Sequence, residues 1–322
     1  MKMGLIIGMD EAGYGPNLGP LVITASLWKV PDDPRQFDFW PALDSVVSQT
    51  KPRKNSRHLH VADSKQVHSA TAGLGPLERS TLPFLQLHNQ ADRLASLGEL
   101  WRLLIASPEH LEVIQSEPWN GERRYELPVV VDVDGVEESR QSLQQALESA
   151  GIELRGICSE IVLPERFNRL CSEYGSKGVM LTRLCMNLLT RVWDRESSEP
   201  TLIIGDKHGG RNRYDEFLDE ILDGEMIFRV EESTQRSVYK IGNTEVRFQT
   251  RAEEHFPVAV SSMVCKYTRE VMMEQFNQYW CEHVADLKPT KGYPVDARRF
   301  KNEIAIAQER LEISDQILWR GQ

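Results

Sequence analysis

The sequence predicts an α/β protein. Three observations carry that class. Short apolar runs end in acidic or turn residues, longer stretches repeat apolar residues at helical spacing, and the two kinds alternate along the 322 residues.

The elements follow in order. Residues 3–8 form an apolar run that ends in Asp10 and Glu11. A Gly/Pro-rich turn fills 13–20, and residues 21–28 read as a second strand, so the two predict an antiparallel pair. Residues 30–60 predict an irregular connection rich in Pro, Asp and basic residues. Residues 76–115 predict helix, with Leu94, Leu97, Leu100, Trp101 and Leu104 on one face. A break at 118–124 precedes a strand-like stretch at 125–133, a helix at 136–150 and a strand within 152–163. Residues 166–193 predict one long helix, weakened by Gly175 and Gly178. A buried-strand pattern at 201–206 ends in Asp206, and 213–223 predict helix. Strands follow near 226–231 and 237–249, then a long helix over 256–280 with small residues Ala259, Ser261 and Ser262 near its start. The stretch 296–320 is helical and charged.

Composition narrows the function. With 38 Lys and Arg against 48 Asp and Glu, the formal charge is −10, which opposes nonspecific coating of DNA. A local basic stretch at 51–60, with Lys51, Arg53, Lys54, Arg57, His58 and His60, predicts either a basic groove or a solvated loop. Five cysteines without a CxxC pair argue against a disulfide framework and a zinc ribbon. No apolar run approaches the about 18 residues of a membrane span, and the first residues are too briefly apolar for a secretory signal; a cytoplasmic protein is the expectation.

The chemistry sits in acids at strand ends. Asp10, Glu11 and Asp206 each close an apolar run, where α/β sheets often carry function. Extended residues 10 and 11 point to opposite sides, and a turn at Gly13 would let both reach one ion. Acids that converge repel unless a hard cation such as Mg²⁺ or Mn²⁺ lies between them; as isolated residues they would cap turns. Gly13, Gly15 and Gly19 follow a strand but are spaced GxGxxxG, Pro16 lacks an N–H, and a strand follows where a dinucleotide fold needs a helix. Asp132, Asp134 and Gly135 open like a calcium loop without its later ligands, so a helix cap is expected there. The segment 207–213 after Asp206 would track a phosphate backbone, place His208 for proton transfer, or simply turn.

Several segments together resemble one family. Residues 8–22, GMDEAGYGPNLGPLV, resemble the DEAGRGPLAGPVV-type opening of type 2 ribonucleases H, the ribonuclease HII and HIII group. Asp63-Ser64-Lys65 resembles its DSK segment, Gly205-Asp206 its third acidic strand end, residues 256–270 its IAAASIxAKxTRD helix, and Lys291-Gly292-Tyr293-Pro294 its KGYGT segment. The matches occur in the family's order and cover 1–68 and roughly 152–300. Residues 70–150 look like an insertion, and 296–322 like a C-terminal helical tail, within a single domain over 1–322.

The resemblance implies a ribonuclease H-like fold: a mixed five-stranded sheet flanked by helices, here with an inserted α/β segment. It implies a metal-dependent endonuclease that hydrolyses the RNA strand, or embedded ribonucleotides, of RNA/DNA hybrid duplexes. Asp10, Glu11, Asp206 and Glu270 would be the catalytic, metal-binding acids for two Mg²⁺ or Mn²⁺ ions, Asp10 bridging both. Glu270 stands where the HII branch has Asp and is similar to the HIII branch. Lys65 and Lys266 would lie near backbone phosphate. Gly13, Tyr14, Gly15 and Tyr293 would read the ribose, although Tyr14 replaces the family's basic residue and Pro294 follows Tyr293. The other expectation from the same residues is a catalytically silent hybrid-binding protein of this fold.

Overall fold

In the computed structural model, which describes residues 3–53, 56–69, 73–89, 93–121 and 124–321, the first two apolar runs become β1 (Gly4–Ala12) and β2 (Leu21–Val30). They pair antiparallel, with Asp10 opposite Thr24 and Glu11 opposite Ile23. The connection that follows holds α1 (Phe39–Ala42), a short parallel pair of β3 (Val47–Ser48) and β4 (Leu59–His60), and α2 (Ser64–Val67). Lys54 of the basic stretch lies outside the described residues.

Next come α3 (Gly75–Asn89), α4 (Leu97–Leu104), α5 (Pro108–Gln115) and α6 (Val133–Ser149), then β5 (Glu153–Val162). The expectation of an α/β segment here is corrected: the elements among the described residues of 70–150 are helices, and 125–133 form no strand. The reason is local. The N–H groups of Val129, Val130 and Val131 donate to the buried carboxylate of Glu78, at 2.7, 2.7 and 3.0 Å, and so are not offered to a strand partner.

The long helix expected over 166–193 is two, α7 (Pro164–Tyr174) and α8 (Lys177–Val192). Gly175 takes φ 69° and ends the first, and Ser176 caps the second by accepting from the Val179 N–H. After β6 (Thr201–Asp206) and α9 (Asp215–Leu222), three strands follow: β7 (Phe228–Glu232), β8 (Arg236–Ile241) and β9 (Thr244–Gln249). The chain then runs through α10 (Phe256–His283), α11 (Pro294–Arg310) and α12 (Asp315–Leu318).

The main sheet has the order β5-β2-β1-β6-β9-β8-β7. Its first five strands match the expected mixed sheet, with β6 parallel to both β1 and β9. The count is corrected from five to seven, because Gly242, at φ 55°, folds the stretch 237–249 into a β8–β9 hairpin and β7 pairs onto β8.

Each face of the sheet buries its own core. Ile6, Val22, Trp28, Leu202 and Ile204 pack under α10 with α3 and α4, whereas Ile7, Met9, Ile23 and Ile203 pack against α7, α8 and α9. A third cluster joins the far half of α10 to α11 and α12. Helix α10 lies unusually close to β1. A Cβ on Gly8 would stand 2.3 Å from the Pro257 carbonyl carbon, and the hydroxyl of Ser261 donates to the Gly8 carbonyl at 2.8 Å. All five cysteines are free, and Cys281 is the exposed one. Among the described residues no helix is long and apolar enough to cross a membrane.

Candidate active site

The sheet register brings the first acids together. Met9 pairs with Gly205, so Asp10 and Asp206 come next at adjacent positions on neighbouring parallel strands. Strand alternation puts both on the α10 face, with Ile6, Leu202 and Ile204. Glu11 falls on the other side of its strand, as the alternation predicts, yet the charges of both Asp10 and Asp206 act on it. These residues are near-neighbours at the open end of the sheet.

Their electrostatics are those of crowded carboxyls. Burial, then the charge of Glu11, pushes the buried Asp10 well above the usual aspartate range, although the Ser262 side chain donates to it. Burial and Asp206 raise Glu11 to about 7. Asp206 is raised by burial against the N–H groups of Lys207 and Ala252, which donate to it. The Lys65 ammonium is the cation facing these groups: Asp63, Asp10, Glu253 and Asp206 all favour its charged form. Its short helix is fixed by Asp63, which accepts from the Lys65 N–H at 3.0 Å, and by the Ser262 hydroxyl, which accepts from the Ser64 N–H at 3.2 Å.

Glu270 has ion-pair partners of its own. It sits two turns beyond Ser262 on α10, about 12 Å along the axis. Lys266 donates to one of its oxygens at 2.7 Å and Lys291 to the other at 2.6 Å. Burial alone would raise this carboxyl, but the two lysines hold it at about 2. Lys266 is thus committed to Glu270.

The glycine turn is built by the far ends of the chain. Gly13, at φ 90°, has room for no Cβ, which would meet the Pro20 carbonyl at 2.5 Å and the Arg269 Nε at 2.6 Å. Gly15 is open and Tyr14 half-buried. The N–H of Asn17 donates to the Gly292 carbonyl at 2.7 Å, and Arg269 donates to the Lys291 carbonyl at 3.0 Å. Those bonds set the exposed Tyr293 beside the turn. Gly13, Tyr14, Gly15 and Tyr293 therefore share one region, with Lys65 among the acids on its flank.

Of the acid cluster, Glu253 escaped the sequence reading, and Asp63 entered it only as part of the DSK-like segment, with no role given. Glu253 lies in the helical turn Ala252–Glu254 just before α10, and burial followed by Asp206 and Asp63 raises its carboxyl. Its only sequence signal is its position ahead of the motif helix. In the segment 207–213, Lys207 and His208 are held by neighbouring groups of the fold. Lys207 donates to the Arg211 carbonyl and to Asn212, and His208, buried against Thr182 and Cys185, is driven down to about 3 by burial and Arg211. A histidine so held does not shuttle protons near neutrality.

The donor set tells which metal would suit it. Among the described residues no group of three or more His, Cys, Asp or Glu side chains is arranged to hold a metal ion as it stands. The chemistry of Asp10, Glu11 and Asp206, all oxygen donors with carboxyls raised by burial and crowding, fits a hard divalent cation. Glu270 does not fit as placed, because both of its oxygens are taken by lysines.

No family model matches the sequence, and no curated protein matches it. Solved structures do. The ribonuclease H2 of Pyrococcus horikoshii OT3 is 15% identical, with a TM-score of 0.42 over 98% of this chain and 92% of that one. The ribonuclease HII of Archaeoglobus fulgidus, solved in complex with PCNA, is 13% identical, with a TM-score of 0.42 over 99% and 94%. The ribonuclease H3 of Aquifex aeolicus is 13% identical, with a TM-score of 0.37 over 98% and 71%. A Bst ribonuclease HIII solved with Mn²⁺ is 14% identical, with a TM-score of 0.44 over 98% and 66%. These are type 2 ribonucleases H, the group whose motifs the sequence resembles.

Proposed function

We propose that the protein is a divalent-metal endoribonuclease acting on the RNA strand, or on embedded ribonucleotides, of RNA/DNA hybrid duplexes. The observation that carries this reading is the convergence of Asp10, Glu11 and Asp206, remote along the chain, at one end of the sheet beside a glycine turn. Asp10, Glu11 and Asp206 would hold two Mg²⁺ or Mn²⁺ ions, which when bound supply an activated water and stabilise the departing 3′ oxygen. Ser262 orients Asp10, and the Ala252 N–H orients Asp206. Lys65 offsets the acids where the scissile phosphate would enter, and Gly13 and Gly15 allow a ribose to approach the backbone. Glu270 would join the catalytic set only by exchanging its lysines for metal, with Lys266 then freed toward phosphate. Residues 70–150 we read as an insertion on this frame, and 296–322 as its tail.

The experiment is a cleavage map on labelled duplexes holding one, several or many ribonucleotides, with Mg²⁺ and Mn²⁺ compared. Cleavage should need the metal and vanish in Asp10→Asn; unchanged cleavage in that variant would remove the site. The capture of Glu270 by Lys266 and Lys291 favours a second reading, a hybrid-binding protein that does not cut. It predicts binding of the same duplexes with no metal-dependent product.

A further inference from the structure

The turn at Gly13–Gly15 carries no basic side chain of its own, yet cations surround it. Arg320, in the C-terminal segment, is 1% exposed and donates through Nη1 to the Gly13 carbonyl at 2.7 Å. Its guanidinium carbon lies 4.8 Å from the centre of the Phe167 ring. Its Nε and Nη2 are buried without a hydrogen-bond partner, and no carboxylate pairs with it among the described residues. Lys177, at the start of α8, shares that ring: its Nζ lies 5.5 Å from Phe167 and 4.5 Å from the ring of Tyr14. Lys177 is half-buried and likewise has no ion pair among the described residues. Burial and the charge of Arg320 hold its ammonium below the usual lysine range. The position of Arg320 is fixed by the backbone. Its N–H donates to the Asn17 carbonyl at 2.8 Å, the Asn17 side chain donates to the Arg320 carbonyl at 2.9 Å, and Leu18 bridges to Trp319.

Two unpaired cations converging on a turn that exposes glycine backbone beside an acid cluster make a place for an anion held at a sugar. We propose that Lys177 and Arg320 supply the positive charge with which the Gly13–Gly15 turn holds the sugar–phosphate of a ribonucleotide. Lys177 meets the phosphate, and Arg320 is a positioning residue that fixes the Gly13 carbonyl behind it. The inference rests on the nuclease reading and deepens it: the charge absent from position 14 arrives from α8 and the C-terminal segment.

The test measures binding by fluorescence anisotropy, without divalent ions, to a duplex holding one ribonucleotide and to its all-DNA counterpart, followed by steady-state cleavage with Mg²⁺. Lys177→Gln should weaken binding of the ribonucleotide duplex about tenfold and flatten the log–log salt slope by about 0.9, one phosphate contact fewer. Adding Tyr14→Arg to Lys177→Gln should restore most of that affinity, which a merely structural lysine would not allow. Arg320→Gln should raise KM about fivefold with kcat within a factor of two, and Arg320→Lys, a check on folding by thermal melt, should keep KM within a factor of two of wild type. Wild type that cleaves while Lys177→Gln binds with unchanged affinity and slope overturns this inference alone, as does failure of the double variant to recover. Wild type that neither binds nor cuts either duplex overturns the nuclease reading and this inference with it.

Discussion

Carboxyls buried side by side destabilise a fold unless a proton or a cation balances them, and Asp10 and Glu11 are in that position. The linkage has a definite sign. Glu11 binds its proton more tightly folded than unfolded, so its contribution to stability is fully present below about 4.5 and is lost as pH rises through about 7. In chelator, thermal stability should therefore fall across that window, and Mg²⁺ should reverse the loss above it. Asp10→Asn should raise Tm in chelator at pH 8 by about 2–4 °C, the shift that about 1 kcal/mol gives in a larger domain. A drop in Tm measured by calorimetry would mean that the acid is already balanced within the protein. Gly13 and Asp206 were legible in the sequence because a turn glycine and a strand-ending acid have local signatures. Glu253 was not, because its role depends on β9 and the turn after it lying next to β6.

At the scale of elements, the contact between α10 and β1 holds the site. The spacing of side-chain donors along the helix matches the strand: the Ser261 hydroxyl donates to the Gly8 carbonyl and the Cys265 thiol to the Asp10 carbonyl, so four helical residues span two strand residues. The small residues near the helix start were visible in the sequence, but which strand they pack against was not. Gly8→Ala should cost about 2–3 kcal/mol in urea unfolding, since a methyl there meets backbone atoms of Pro257 and Val258 at 2.3 and 2.4 Å. A loss below about 0.5 kcal/mol would show that the helix can shift. The split of the stretch 166–193 was also foreshadowed, by Gly175, but periodicity alone ran through it because the apolar residues on either side keep helical spacing.

For the whole molecule, the segment between β4 and β5 shares the core beneath α10. Trp28 packs edge-on against Phe39, Phe84 and Phe256 at 5.6, 6.2 and 5.4 Å, joining β2, α1, α3 and α10. Glu78 adds a polar tie, accepting three backbone N–H groups and the Tyr267 hydroxyl while wholly buried. Glu78→Ala would strand those donors and should lower stability by about 3 kcal/mol in denaturant melts; a change under 1 kcal/mol would mean that the 129–131 loop finds other acceptors. The sequence could not announce this tie, because the bond joins residues about 50 positions apart and uses backbone N–H groups of 129–131, while the apolar residues there read as a strand.

Helix α10 begins at the carboxyl cluster and carries its one solvent-facing thiol, Cys281, near the opposite end, about 22 Å beyond Lys266. A maleimide dye placed there would ride on a rigid rod at a known offset from the carboxyl cluster. If the proposed function holds, energy transfer to an acceptor on either terminus of an oligonucleotide would then report which way round the duplex lies across the protein.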